Sequence, residues 1–214
     1  MDVNQIIQGD CLEVLDDIPN GSINLVLTDP PYSSGARQTT QLRKRKGMVR
    51  SERWKEEWFG TDNLSTSGFM FFFRGVSLLL FKKLKPGGHA YFFIDWRNYP
   101  LLNNVLESSG FRVGGMIVWD KEIFGMGNGF RNQHELIVVC SKGSPREFNR
   151  HDIPSVLRVK RIKSDIHPTE KPVQLLSQLI EMSSEKGGPG PQSIFRIWRH
   201  VTCSTTTRSQ LSWD

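Results

Sequence analysis

The chain has 214 residues, enough for one domain that buries a core without disulfide or metal staples. Its 37% hydrophobic content is concentrated in bulky side chains, thirteen Phe and six Trp among them, which excludes a disordered polar chain. A formal charge of +6 suits polyanionic partners through release of counterions from phosphates, although solubility alone accounts for it equally well. The three cysteines, Cys11, Cys140 and Cys203, have no paired spacing, so neither a disulfide framework nor a zinc site is expected, and the five histidines show no metal-ligand spacing. No apolar run reaches transmembrane length and the N-terminus lacks a signal pattern, so a cytoplasmic protein with no membrane partner is expected.

In chain order the pattern alternates between strand and helix, the sign of an α/β domain. A short strand is expected at residues 6–8. Leu12, Leu15 and Ile18 at helical spacing mark a helix over 11–18, broken by Pro19-Asn20-Gly21. The run Ile23, Leu25, Val26, Leu27 predicts a strand over 22–28 buried on both faces and ended by two prolines. Residues 33–61 are expected to form a basic loop, with Arg43-Lys44-Arg45-Lys46 followed by the aromatics Trp54, Trp58 and Phe59. A helix over 64–85 closes on Lys82, Lys83 and Lys85 and is stopped by Pro86-Gly87-Gly88. A strand over 89–95, a helix over 98–109 and strands over 112–119 and 135–140 follow. The basic stretch 142–166 is a candidate DNA-recognition segment, and a last helix is expected over 172–185.

Asp29-Pro30-Pro31-Tyr32 follows the buried strand directly, at the carboxyl end where open α/β sheets bind ligands. Exocyclic amines of adenine and cytosine are poor nucleophiles because their lone pair is delocalised into the ring, so a catalyst must hold the amine in attacking geometry. Asp29 can accept one N–H, and the Pro30 carbonyl can accept the other, since the prolines leave acceptors without donors. Tyr32 can stack on the face of a base turned out of the helix.

With these residues the sequence resembles the S-adenosylmethionine-dependent amino-methyltransferases of DNA, over most of residues 5–186. Gly9-Asp10-Cys11-Leu12 is similar to the family segment whose acidic residue approaches the cofactor. Leu84-Lys85-Pro86-Gly87-Gly88 and Phe130-Arg131-Asn132-Gln133-His134-Glu135 are similar to later blocks, the second of which shapes the base pocket. His167-Pro168-Thr169-Glu170-Lys171-Pro172 is similar to the block that lies against the methionine end of the cofactor. The resemblance implies a Rossmann-like methyltransferase fold, a mostly parallel sheet flanked by helices, with circularly permuted motif order and an incomplete cofactor half. It implies catalysis by Asp29, Pro30, Pro31 and Tyr32, cofactor contacts from Asp10, Asp29, Pro31, Thr169 and Lys171, and no metal. Double-stranded DNA is the implied partner and a bacterium or phage the implied source. Asp as first residue of the motif favours adenine N6 over cytosine N4. An RNA base as acceptor, or a remnant that only binds nucleic acid, are the alternatives.

Residues 1–186 are thus expected to form the methyltransferase domain, and residues 187–214 an aberrant, disordered tail. The family pattern would continue with a strand and a Phe-x-Gly-x-Gly loop, which this chain lacks. Reading the codons of residues 188–199 one nucleotide later allows D-L-V-L-S-P-F-S-G-S-G, so a frameshift near Gly187 or Gly188 is expected.

Overall fold

The computed structural model describes residues 5–30, 66–125, 128–162, 170–184, 194–197 and 202–206. The basic loop expected at 33–61 lies outside them. In chain order come β1 (Gln5–Gln8), α1 (Cys11–Asp17), β2 (Ile23–Thr28), α2 (Thr66–Lys83), β3 (Leu84–Ile94), α3 (Tyr99–Ser108), β4 (Arg112–Asp120), β5 (His134–Ser141), β6 (Val156–Arg158), α4 (Val173–Ser183), β7 (Ile194–Ile197) and β8 (Thr202–Thr206). The strands form one sheet in the order β1-β8-β7-β2-β3-β5-β4-β6.

The α/β class holds, and the sheet, expected to be mostly parallel, is mixed. β2 runs parallel to β3 and β7, and β4 parallel to β6, while β5 pairs antiparallel with both β3 and β4. The reason is the connection from β4 to β5, residues 121–133, which turns directly back without the crossover helix that a parallel pair requires.

β2 is buried along its whole length, as its continuous apolar run predicts. β3 is the second central strand, and its alternation assigns the two faces of the sheet. Phe92 points toward α2 and α3, edge-on to Phe73 at 5.9 Å and to Phe111 at 5.5 Å. Its neighbours point the other way: His89 stacks on Phe148, and the Tyr91 hydroxyl meets Ser183 Oγ of α4 at 2.5 Å. In α2 the buried Phe69, Phe73, Val76 and Leu80 recur at helical spacing, whereas Phe71 is 86% exposed.

Two local expectations are corrected. Pro86-Gly87-Gly88, read as a turn before the strand, lies within β3, where pairing jumps from Ile23↔Leu84 to Leu25↔His89 and the intervening residues bulge. Gly87 has φ 75, a conformation that favours glycine, and a Cβ there would stand 2.9 Å from Arg146 Cγ. The stretch expected to be a disordered tail contributes strands β7 and β8. β7 pairs parallel with β2 from Leu25↔Ile194 to Thr28↔Ile197, and β8 joins it to β1. A strand buried on both faces needs both edges hydrogen-bonded, and Ile-Phe-Arg-Ile has the β-branched and aromatic character to supply one. Strand β6 was likewise unforeseen within the basic stretch 142–166.

Phe73→Ala should destabilise the fold by about 3–5 kcal/mol in urea unfolding, because it opens a cavity between α2 and the sheet. Phe71→Ala, on the exposed face of the same helix, should stay within about 0.5 kcal/mol of the parent.

Candidate functional site

The sheet carries Asp29 immediately beyond β2, at the edge where β3 and β4 also end and where β5 begins. Asp29 is 5% exposed, and Pro30 beside it is buried. Such a carboxylate requires a partner, because burying an unpaired charge costs several kcal/mol.

That partner is Lys171, which precedes α4 and is itself 3% exposed. Its Nζ lies 3.0 Å from Asp29 Oδ2 and 2.9 Å from Glu135 Oε2. Glu135 in turn receives Lys121 Nζ on Oε1 at 2.8 Å. Two carboxylates and two ammonium groups therefore alternate in one ladder whose formal charges cancel. Aromatic rings wall it: Lys171 Nζ lies 5.2 Å from the Phe93 centroid and 5.8 Å from that of Trp119, and Lys121 Nζ lies 5.6 Å from Trp119. Trp119 is held by its indole N–H, which donates to the Val159 carbonyl at 2.7 Å.

The electrostatics follow from this order. Burial is the largest influence on Glu135 and would raise its pKa, but Lys171 and Lys121 together outweigh it and hold the carboxyl at about 2. Burial would likewise push the Lys171 ammonium down, yet Asp29 and Glu135 overcome it and hold the group above the usual lysine range.

The structure brings together Asp29, Pro30 and Lys171 of the residues named from sequence. Pro31, Tyr32 and Thr169 lie outside the described residues. Asp10 is exposed at the end of β1, where its Oδ1 accepts the Leu12 N–H at 2.8 Å and caps α1. β1 points the same way as β2 and lies three strand spacings from it, about 14 Å, so Asp10 and Asp29 stand on one edge of the sheet. On β2 itself, directly before Asp29, Thr28 Oγ1 is buried with no hydrogen-bond partner. Sequence reasoning gave Glu135 only a general pocket-shaping role and missed Lys121 and Trp119. The available signal was a Glu directly before the apolar Leu136-Ile137-Val138-Val139 run, opposite Trp119 in the β4–β5 register.

A cavity of about 500 Å³ lies at the opposite end of the strands, between α4 and the sheet, lined by His89, Tyr91, Met116 and Leu179. It contains none of the motif residues. Among the described residues no cluster of His, Cys, Asp and Glu could hold a metal, and no helix is long and apolar enough to cross a membrane.

The sequence matches the DNA methylase family over residues 23–189, a span that ends where the tail departs from the expected pattern. It is 27% identical over 179 residues to the putative methylase YubD of Escherichia coli strain K12, covering 84% of this chain and 70% of that protein. Two further curated relatives are matched over 56% and 52% of their own length, so the chain spans only about half of these. Among solved structures, the PvuII DNA methyltransferase, described as cytosine-N4-specific, superposes with a TM-score of 0.63 at 18% identity, covering 88% of this chain and 72% of that one. The M1.HpyAVI–SAM complex superposes at 0.57 and 19% identity, covering 85% and 77%. At these identities the likeness to solved structures shows the fold.

Lys171→Met should cost about 3–5 kcal/mol in urea unfolding at neutral pH, since it strands two buried carboxylates. That variant should regain stability on mild acidification, as one of them takes up a proton. In the parent, the folded pKa of Glu135 is depressed, so its contribution is complete above the ordinary 4.5 and is lost as pH falls toward about 2. Unfolding midpoints measured across that window should therefore fall more steeply for the parent than for Glu135→Gln.

Proposed function

The chain belongs to the N6/N4 DNA methylase family, and from that premise we propose that it transfers a methyl group from S-adenosylmethionine to the N6 amine of adenine in double-stranded DNA. The observation that carries this reading is the Asp29 carboxylate, buried at the end of β2 and anchored through Oδ2 by Lys171.

A carboxylate offers about four lone-pair directions, so an ion pair on Oδ2 is compatible with accepting an amine N–H. Anchoring fixes its direction, and the orientation of the amine lone pair follows from it. The Pro30 carbonyl is the second acceptor and Tyr32 the stacking surface in this reading. On transfer the N–C bond would form as the S–C bond breaks to leave a neutral thioether, the amine nitrogen would turn positive, and the Asp29 carboxylate would stabilise that charge until the extra proton is lost to solvent. Because Lys171, Glu135 and Lys121 complete a neutral ladder, Asp29 keeps its orientation without drawing a stray cation into the base site.

The polar groups on this edge fit a cofactor that carries hydroxyls and an ammonium: Asp10 at one end, and Asp29 with the unpartnered Thr28 hydroxyl before it at the other. Asp10, Asp29, Pro31, Thr169 and Lys171 are its proposed contacts, with Lys171 acting chiefly by holding Asp29. When bound, S-adenosylmethionine supplies a sulfonium-activated methyl group, and no metal enters the reading. Adenine is favoured because Asp opens the motif. Cytosine N4 is the second reading, favoured by the fold likeness to an enzyme described as cytosine-N4-specific.

Transfer of labelled methyl groups to duplex DNA, followed by nucleoside chromatography, should yield N6-methyladenine. N4-methylcytosine would move the assignment to the second reading, and DNA retention without transfer or cofactor binding would reduce the chain to a binding remnant. Asp29→Asn should lower kcat by at least about 10²-fold, and because Asp29 is also a proposed cofactor contact, its S-adenosylmethionine affinity by calorimetry should fall as well, by less than kcat does.

A further inference from the structure

The connection between β4 and β5 carries groups that neither the core nor the charge ladder uses. Its root is stitched. Lys121 N–H donates to the Gln133 carbonyl at 2.9 Å, and Gly125 N–H donates to that of Asn132 at 2.8 Å. Asp120 Oδ1 accepts both the Glu122 N–H at 2.9 Å and the Gln133 amide at 2.8 Å. Glu122 stands at φ 57, a left-handed conformation uncommon outside glycine. These bonds hold the two described arms, residues 121–125 and 132–133, side by side as a hairpin stem that continues the β4–β5 pair past the edge of the sheet.

What the hairpin presents is apolar and cationic together. Phe130 is fully exposed, Phe124 is 55% exposed, and the Arg131 guanidinium lies 3.7 Å from the Phe124 centroid. Exposed rings on a held hairpin have a ligand-facing role more readily than a packing one. Flat, π-faced groups joined to a planar cation match stacked bases flanked by phosphates better than they match an aliphatic surface. Exposed Arg158, Lys160 and Arg161 stand nearby: the Arg161 N–H donates to the Lys121 carbonyl at 3.1 Å, and Arg158 Nε lies 3.8 Å from Asp120 Oδ2. Lys121 and Glu135, at the two ends of the connection, belong to the ladder that anchors Asp29. Phe130 is five residues from Glu135, so even a fully extended chain keeps it within about 18 Å of that residue.

We propose that this hairpin is a wedge for duplex DNA, inserting Phe130 and the Phe124–Arg131 pair into the base stack beside the nucleotide that enters the Asp29 site. The proposal rests on the reading of that site as one for a base taken out of a duplex. Removing a base leaves a gap whose neighbours have lost a stacking partner, and apolar side chains can fill it.

The test measures binding of the full chain to a short labelled duplex and to the same duplex with one central abasic site, by fluorescence anisotropy. The parent should prefer the abasic duplex by about tenfold. Phe124→Ala/Phe130→Ala should abolish that preference while binding the intact duplex within about twofold of the parent, and circular dichroism should show the fold unchanged, since both rings are exposed. Arg131→Lys, which keeps the charge and loses the plane, should fall between them. A parent without the preference, a double variant that retains it, or a chain that binds neither duplex overturns the wedge. Methyl transfer is scored separately. A chain that shows the preference but never transfers keeps the wedge and loses the methyltransferase reading, and transfer without the preference does the reverse.

Discussion

A lysine ammonium with almost no exposure to water is the group on which the rest of this molecule is arranged. Lys171 is tolerable only because two carboxylates reach it from separate parts of the chain, Asp29 from the end of β2 and Glu135 from the start of β5. Two anions against one cation would leave an excess charge, and Lys121 removes it. The attraction must offset the desolvation of every member, so the distances have little slack. That constraint ties the base of α4 to two strands that are not neighbours in sequence. It also opposes slippage of β5 along β4: a shift of one residue would replace Glu135 opposite Trp119 with Leu136 and leave Lys171 half-paired.

The sheet makes such a constraint affordable in geometry because its central strands are rigid. β3 is packed on both faces, with Phe92 set among Phe73 and Phe111 on one side and Tyr91 joined to α4 on the other. Phe93, two positions along from Tyr91 and on the same face, reaches the ladder and forms part of its wall. A single strand therefore connects the core to the site, and a side chain placed by it inherits the precision of interior packing. The C-terminus of α4 is fixed as well, by Arg146, which donates to the Ser183 carbonyl and to the Asn24 carbonyl of β2, and by Asn149, which donates to the Ser184 carbonyl. With both ends of the helix held, Lys171 before it has a defined position.

The parts legible in the sequence were those whose cause is local. β2 announced itself as an unbroken apolar run, the helices as apolar residues at helical spacing, and Asp29 as the residue after a buried strand with two prolines behind it. The missed parts have distant causes. β6 is three residues long, too short to display a period, and depends on pairing with Val118 to Asp120. β7 and β8 lie in a stretch with no sustained pattern, and what calls for them is the unpaired edge of β2, some 170 positions earlier. Glu135 looked like the polar margin of a strand, because its meaning depends on Lys171 and Lys121, which approach it from other segments.

Charge is divided in this protein by depth. The ladder beneath the site sums to zero, whereas the chain as a whole carries +6, so its excess positive charge lies outside the ladder. A nucleobase is neutral and a phosphate backbone is not, and one electrostatic design cannot serve both. A net positive pocket would capture phosphate in place of the base, and a net negative one would repel the whole duplex. In the proposed function, a neutral, directional ladder under the base and basic residues toward the solvent would separate the two tasks: surface charge would provide long-range attraction that salt screens, and the buried pairs orientation that salt barely reaches. On the proposed function, the Lys171 bridge is a means of aiming the Asp29 carboxylate more than a source of stability, since an apolar replacement of the whole ladder could be equally stable and would have nothing to present to an amine.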